Sequence, residues 1–115
     1  MSEDLKKLPA AFYRTANGTE PVREWLRGLS AEDRKAIGQD IALVEYAWPI
    51  GMPTCRPLGA GLFEVRSNLS GGRSARVLFC PTDGCLVLLH GFIKRTQKTL
   101  ASDLALGRSR QKDVQ

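Results

Sequence analysis

The sequence has few of the residues on which metal, redox and membrane proteins depend. It holds one histidine, His90, and three cysteines, Cys55, Cys80 and Cys85, whose odd number and spacing match no zinc site. We therefore expect reduced thiols, no metal and no other cofactor, with a Cys80–Cys85 hairpin bridge as the alternative. The longest apolar run, Cys85 to Leu89, is too short to cross a bilayer, and no signal-like leader is visible, so a cytoplasmic protein is expected.

Length and charge indicate one small domain with a basic side. At 115 residues and 43% hydrophobic content, the chain is expected to form a single domain over 1–115, with flexible tails at 1–9 and 108–115. Of the net charge of +5, residues 1–54 hold −1 and residues 55–115 hold +6. A basic surface confined to one half favours a polyanion or an acidic partner. A solvated basic surface without a ligand is equally compatible with this pattern.

Two amphipathic helices are predicted in the first half of the chain. The first begins at Thr19-Glu20-Pro21 and ends at Gly28, and the second begins at Ser30, a capping-box-like residue, and ends before Pro49. Their apolar stripes are Val22, Trp25, Leu26 and Leu29 in the first helix and Ile37, Ile41, Val44 and Trp48 in the second. Because both tryptophans lie on these stripes, they are predicted to anchor the core and not to stack on nucleic-acid bases.

Alternation and turn residues predict four strands. The strand segments are 11–15, 62–67, 74–80 and 85–93. A loop rich in proline and glycine, 49–61, precedes the last three, which glycine-containing hairpin turns join into an antiparallel meander. The final strand is almost wholly apolar, which favours a central position in the sheet. Two helices before a meander predict an α+β domain with the helices on one sheet face and the other face uncovered.

The uncovered face is predicted to be basic. Side chains alternate along a strand, so Phe63 and Val65 point into the core while Glu64 and Arg66 point the other way. Arg76 falls on that same face, in the middle of an apolar strand where an arginine needs a structural or functional reason. The cations expected to converge around Glu64 are Arg66, Arg76, Lys94, Arg95 and Lys98.

Three segments carry a family resemblance. They are Pro57-Leu58-Gly59-Ala60-Gly61-Leu62-Phe63-Glu64-Val65-Arg66, Ala75-Arg76-Val77-Leu78-Phe79, and Leu88-Leu89-His90-Gly91-Phe92-Ile93-Lys94-Arg95-Thr96-Gln97-Lys98-Thr99. In this order they resemble the RelE/ParE superfamily of toxins, most closely its HigB-like, phage-related branch. The resemblance implies a RelE-like fold: an antiparallel sheet of about four strands, two N-terminal helices on one face and a short C-terminal helix. It also implies the toxin of a type II toxin–antitoxin system, many relatives of which cut messenger RNA in the ribosomal A site.

The resemblance implies catalytic roles for several residues. Arg76 falls at a phosphate-contacting arginine, Arg66 at a basic residue of the preceding strand, and Lys94 and Arg95 at a basic pair after the last strand. Glu64 stands where RelE has a lysine. The chain also has no tyrosine in its C-terminal half, so it lacks the C-terminal tyrosine that RelE uses.

RNA cleavage by its own 2′-hydroxyl needs a proton acceptor, a proton donor and compensation of charge on the phosphate. Arg76 and Arg66 suit the last task because their forked donors stay charged. Lys94 or Lys98, crowded by cations, has a lowered pKa and could exchange protons near neutral pH. Glu64 is either the base or the ion-pair partner of Arg66 on the same face.

Other polar residues are assigned to binding or to the core. Lys98, Arg73 and Arg56 are predicted to bind RNA, whereas His90, inside an apolar strand, is predicted to be a satisfied core histidine. The C-terminal cations Arg108, Arg110 and Lys112 either contact ribosomal RNA or belong to a frayed, solvated terminus.

The leading hypothesis is a metal-independent, ribosome-dependent endoribonuclease that acts on messenger RNA. By resemblance, its partner is an antitoxin, expected to be a small helix-turn-helix protein. A ParE-like toxin that inhibits DNA gyrase without cutting nucleic acid is the alternative from another class, and a non-catalytic RNA-binding module is the third.

Overall fold

A computed structural model describes residues 6–94 and 99–115 of the chain. Its elements, in order, are β1 (Ala10–Phe12), α1 (Pro21–Arg27), α2 (Ala31–Ala47), β2 (Cys55–Gly59), β3 (Leu62–Asn68), β4 (Ser74–Thr82), β5 (Cys85–Lys94) and α3 (Ala101–Val114). The α+β class is confirmed, and both N-terminal helices lie where the apolar spacing predicts them.

The helix boundaries follow local capping chemistry. Pro21 occupies the first turn of α1, where its missing N–H costs no hydrogen bond. The Oγ of Ser30 accepts a hydrogen bond from the backbone N of Asp33 at 3.1 Å, which caps α2 as its sequence predicts. Two further carbonyl bonds from Arg34, to Leu26 and Leu29, tie α2 back to the end of α1.

The sheet has five strands in the order β1-β5-β4-β3-β2. The meander of β3, β4 and β5 is confirmed, and β5 lies inside the sheet and not at its edge, as its apolar sequence predicts. Two expectations were wrong: the sheet is mixed, because β1 runs parallel to β5, and it has five strands, because β2 lies inside the predicted loop. Pro57 hides β2 from pattern reading, yet an edge strand tolerates a proline. Gly59 and Gly61, both at positive φ, make the tight turn into β3.

Helices α1 and α2 cover one face of the sheet. This core includes Val22, Ile37 and Val44 from the helices, packed on Val65, Val77 and Phe79 from the strands. Trp48 packs edge-on against Phe63, with ring centroids 4.9 Å apart, and Trp25 lies against the same core. The prediction that both tryptophans anchor the core is confirmed.

The opposite face is partly covered by α3, so the expectation of an uncovered face was wrong. A second core of Leu62, Leu78 and Leu89 lies beneath Leu104 and Val114. Segment 108–114, expected from sequence to be a flexible tail, forms the second half of this helix. The sequence of α3 has no clear apolar stripe, because polar side chains hold this helix on the sheet. Its packing therefore could not be predicted from apolar spacing.

Those polar attachments reach three parts of the sheet. Arg108 donates to the carbonyls of Leu58 and Gly59, at 2.8 and 2.7 Å. Arg110 donates to the carbonyl of Leu89 at 2.8 Å, and the Tyr13 hydroxyl donates to Asp113 at 2.6 Å. The helix is therefore held by charged side chains at its C-terminal half.

Two further expectations concern the state of the cysteines and the presence of membrane-spanning segments. Cys55, Cys80 and Cys85 are free thiols. Within residues 6–94 and 99–115, no helix combines the length and the hydropathy that crossing a membrane requires.

Candidate functional site

Strand register gathers the predicted charged residues on the face that α3 partly covers. Arg56 of β2 lies opposite Glu64 of β3, and Arg66 of β3 lies opposite Arg76 of β4. On β5, Lys94 lies opposite Ser74, and Phe92 lies opposite Arg76. Because Lys94 and Phe92 are two residues apart along the strand, the Lys94 side chain lies on the same face as Arg76. We call Arg56, Glu64, Arg66, Arg76 and Lys94 the basic cluster. Four cations and one carboxylate give it a formal net charge of +3.

A buried ion pair lies at the centre of the basic cluster. The Nε of Arg76 is 3.5 Å from the Oε1 of Glu64, and the two side chains are only 6% and 0% exposed. The other carboxylate oxygen, Oε2, accepts a hydrogen bond from the Thr99 hydroxyl at 3.0 Å. The predicted pair between Glu64 and Arg66 was wrong, because Arg76 reaches Glu64 diagonally across two strands. Arg66 instead directs its guanidinium to the Met52 sulfur, 3.8 Å away.

This pair explains why an arginine lies in the middle of an apolar strand. Burial lowers the pKa of Arg76, the charge of Glu64 opposes that effect, and Arg66 and Arg56 add to it. Its NH1 also donates to the Ala75 carbonyl at 3.0 Å. Arginine nevertheless stays protonated at neutral pH, so Arg76 remains a permanent cation beneath the surface.

Lys94 has the one lowered lysine pKa resolved in the described part of the chain. Burial is the main cause, followed by repulsion from Arg76, with smaller contributions from Arg66 and Arg56. The negative charge of Glu64 opposes the shift. The prediction of a lysine with a depressed pKa beside crowded cations is therefore supported at Lys94.

A polar cleft opens beside the basic cluster. It is lined by Asp40, Pro53, Thr54, Arg66, Asn68, Ser74 and Arg76. The cleft forms where β3 and β4 extend beyond the short edge strand β2, so its polar side chains are left without a covering strand. It gives an anion access to both Arg66 and the nearly buried Arg76.

Several predicted residues lie elsewhere or outside the described residues. Arg73 forms a bidentate ion pair with Asp33 of α2, with N···O distances of 2.8 and 3.0 Å. It is not among the charges that shift the pKa of Arg76 or of Lys94. Arg95 and Lys98 lie outside the described residues. Arg56, the member of the basic cluster on β2, is exposed.

The histidine and the C-terminal arginines have structural partners. His90 Nε2 lies 2.7 Å from Asp103 of α3 and its ring stacks on Phe92, which agrees with a satisfied histidine. Arg108 and Arg110 bond to backbone carbonyls, so they are not part of a frayed terminus, and their contact with ribosomal RNA stays a prediction. Lys112 is exposed.

Sequence reasoning missed Thr99 and the polar lining of the cleft. Thr99 is 35 residues from Glu64 along the chain, and no local pattern links the two. The register of β3 and β4 could have suggested Asn68 and Ser74, which pair with each other at the open end of the cleft. No group of three His, Cys, Asp or Glu side chains able to hold a metal occurs among the residues that the structure describes.

Comparison with known protein families shows a match over most of the chain. The family described as "Phage derived protein Gp49-like (DUF891)" matches residues 24–112, which include the second half of α1, all of α2, the meander and most of α3. No curated protein matches the chain. Members of this family are commonly toxins of toxin–antitoxin systems. The predicted membership of the wider toxin family is thereby confirmed, and its HigB-like branch stays a prediction. The chain belongs to the Gp49-like family of phage-derived proteins, which is part of the RelE/HigB-type toxin family.

Proposed function

We propose that this protein is the toxin of a toxin–antitoxin pair and that it cleaves messenger RNA bound to the ribosome. The observation that carries the proposal is the basic cluster, whose Arg66 and Arg76 line one cleft. Two guanidinium groups beside one opening suit the two non-bridging oxygens of a phosphodiester. The family membership supports a toxin, and the cluster supports RNA as its target.

The chemistry that fits the cluster is transfer of the phosphodiester to the neighbouring 2′-oxygen. The 2′-oxygen attacks phosphorus, the bond from phosphorus to the 5′-oxygen breaks, and the products are a 2′,3′-cyclic phosphate and a 5′-hydroxyl. Negative charge grows on the phosphoryl oxygens in the transition state. Arg66 and Arg76 would stabilise that charge from fixed positions, which is the largest contribution available to a site of this kind.

Lys94 is the residue proposed to move a proton. Its lowered pKa makes the ammonium a stronger acid than an ordinary lysine, so it would protonate the leaving 5′-oxygen. The proton of the 2′-hydroxyl would pass to water or to a group of the ribosome. A shallow site has reason to depend on the ribosome for orientation of the RNA.

The same cluster supports an antitoxin as partner. A toxin that acts through exposed positive charge is inhibited by a protein that covers this charge with acidic side chains. We expect the cognate antitoxin to be a small helix-turn-helix protein, as the family resemblance implies, and to occupy the cleft beside Arg66.

The test is induction of the protein in a bacterial host, followed by mapping of messenger 5′ ends by primer extension. Arg66→Ala should abolish new 5′ ends and restore growth, because it removes a half-exposed cation of the cleft. The matched control is Arg27→Ala, which removes an exposed arginine of α1 whose partner is Glu24. This variant should cleave like the natural protein.

Two outcomes would contradict the proposal. Growth arrest with intact messages would refute cleavage and favour the gyrase-inhibiting alternative, which relaxation assays on plasmid DNA would then detect. Equal cleavage by Arg66→Ala and Arg27→Ala would show that the cleft is not the site. Purified protein should cut ribosome-bound RNA far faster than free RNA, and equal rates would exclude ribosome dependence.

A further inference from the structure

We propose that Glu64 is a positioning residue that holds the Arg76 guanidinium for the phosphate and couples it to Thr99. The inference rests on the proposed function, because it assigns a role within the same site. It replaces the expectation that Glu64 is the general base.

Burial excludes Glu64 from direct contact with the RNA. Its side chain is fully buried beneath the C-terminal segment, whereas the cleft is lined by Arg66 and Arg76 and not by Glu64. A base must come within hydrogen-bond distance of the proton that it removes. Glu64 therefore acts on the reaction through the residue that it contacts.

The contacts of Arg76 leave one edge of its guanidinium for the cleft. Nε faces Glu64 at 3.5 Å, and NH1 donates to the Ala75 carbonyl. Neither Nε nor the facing Oε1 has a hydrogen-bond partner of normal geometry, so the charge of Glu64 holds Arg76 mainly by electrostatic attraction. NH2 forms no hydrogen bond to a residue that the structure describes, and the contacts of Nε and NH1 orient it.

The second oxygen of Glu64 extends this arrangement to the C-terminal segment. Thr99 donates to Oε2 at 3.0 Å and immediately precedes Leu100, the N-cap of α3. One carboxylate thus joins the arginine of β4 to the chain that enters the helix. Removal of the Glu64 charge alone should weaken the contact that holds Arg76. Removal of the Thr99 hydroxyl alone should weaken the contact between Glu64 and the C-terminal segment.

The test is Glu64→Gln, which keeps the shape and an acceptor for Thr99 but removes the charge. Single-turnover cleavage of ribosome-bound RNA should slow by about 100-fold, the size of loss that misplacement of a catalytic group by about 1 Å produces. RNA binding, measured by filter retention, should be unchanged or tighter, because the cluster gains one net positive charge. A purely structural role predicts instead that binding and cleavage fall together.

The matched control is Asp33→Asn, which breaks a second carboxylate–arginine pair, that of the buried Asp33 with the exposed Arg73. This variant should lower Tm and leave cleavage by folded protein unchanged. Thr99→Val and Thr99→Ser form a second pair in case Glu64→Gln does not fold. The valine variant should cleave several-fold more slowly, and the serine variant, which keeps the hydroxyl, should cleave at the natural rate.

The outcomes separate this inference from the proposed function. If the natural protein does not cleave ribosome-bound RNA, the proposed function fails and the inference fails with it. If the natural protein cleaves and Glu64→Gln cleaves equally well, only the positioning role is refuted. Equal cleavage by the two Thr99 variants would refute the coupling to the C-terminal segment.

Discussion

Gly91 of β5 should not accept even one added methyl group. A Cβ placed there would lie 2.4 Å from Cε3 and 2.5 Å from Cζ3 of the Trp25 indole. Carbon atoms in contact are separated by about 3.5–4.0 Å, so the overlap exceeds roughly 1 Å. The indole is a rigid ring packed between α1 and the sheet, and it has no flexible end that could turn aside. The helix or the strand must therefore shift if Gly91 becomes alanine.

The expected cost of Gly91→Ala is that of an overpacked core, about 1–3 kcal/mol. For a domain of this size, one kcal/mol changes Tm by about 4 °C, so thermal unfolding followed by circular dichroism should show a fall of about 4–12 °C. Gly38→Ala is the matched control, because a Cβ at this helical position meets nothing within 4 Å. That substitution should stabilise α2 by about 0.5–1 kcal/mol.

A double-mutant cycle identifies the cause. Trp25→Leu destabilises the protein by itself, but it also removes the ring that Gly91→Ala would strike. The double variant should therefore be more stable than the sum of the single changes predicts, by about 1 kcal/mol or more. An unchanged Tm for Gly91→Ala, or strict additivity of the two changes, would refute the packing of Trp25 on β5.

Three further predictions concern charge and thiol chemistry. Lys94→Met should abolish cleavage yet raise Tm at pH 7, because the lowered pKa of Lys94 means that the unfolded chain binds this proton more tightly than the folded protein does. The gain in Tm should shrink as pH rises towards the ordinary lysine pKa of 10.5. A lower Tm for the variant at pH 7 would contradict this reasoning. Asp33→Asn should lower Tm at neutral pH, because the bonded Arg73 lowers the pKa of Asp33 in the folded protein. The difference in Tm between the two proteins should vanish as pH falls below the ordinary aspartate pKa of 3.8 and then through the lowered pKa of the folded state. A difference that persists in acid would show that the charge of Asp33 is not its source. Burial raises the pKa of Cys55 and of Cys80 to about 11, so iodoacetamide at pH 8 should label only the half-buried Cys85 in the folded protein. The intact mass should show one label before unfolding and three labels after it. Labelling of all three thiols in the native protein would exclude this packing.

Local patterns predicted most of the elements because their causes are local. The cap at Ser30 and the stripe through Ile37 depend on residues three or four positions away, so they can be read directly. Alternation in β3 likewise placed Glu64 and Arg66 on the same face. The strand β2 was missed because Pro57 interrupts its pattern, and the parallel pairing of β1 with β5 depends on residues more than 70 positions apart.

The candidate site was predicted in composition but not in arrangement. The sequence by itself determined that one face of the sheet would carry Arg66, Arg76 and Glu64, since the period of two in a strand leaves no other choice. Only the tertiary structure decided the partners. The packing of α3 removed Glu64 from water, and a buried carboxylate needs a cation and a donor, which here are Arg76 from the next strand and Thr99 from beyond the sheet. Burial depends on what the distant chain covers, and no local pattern records it.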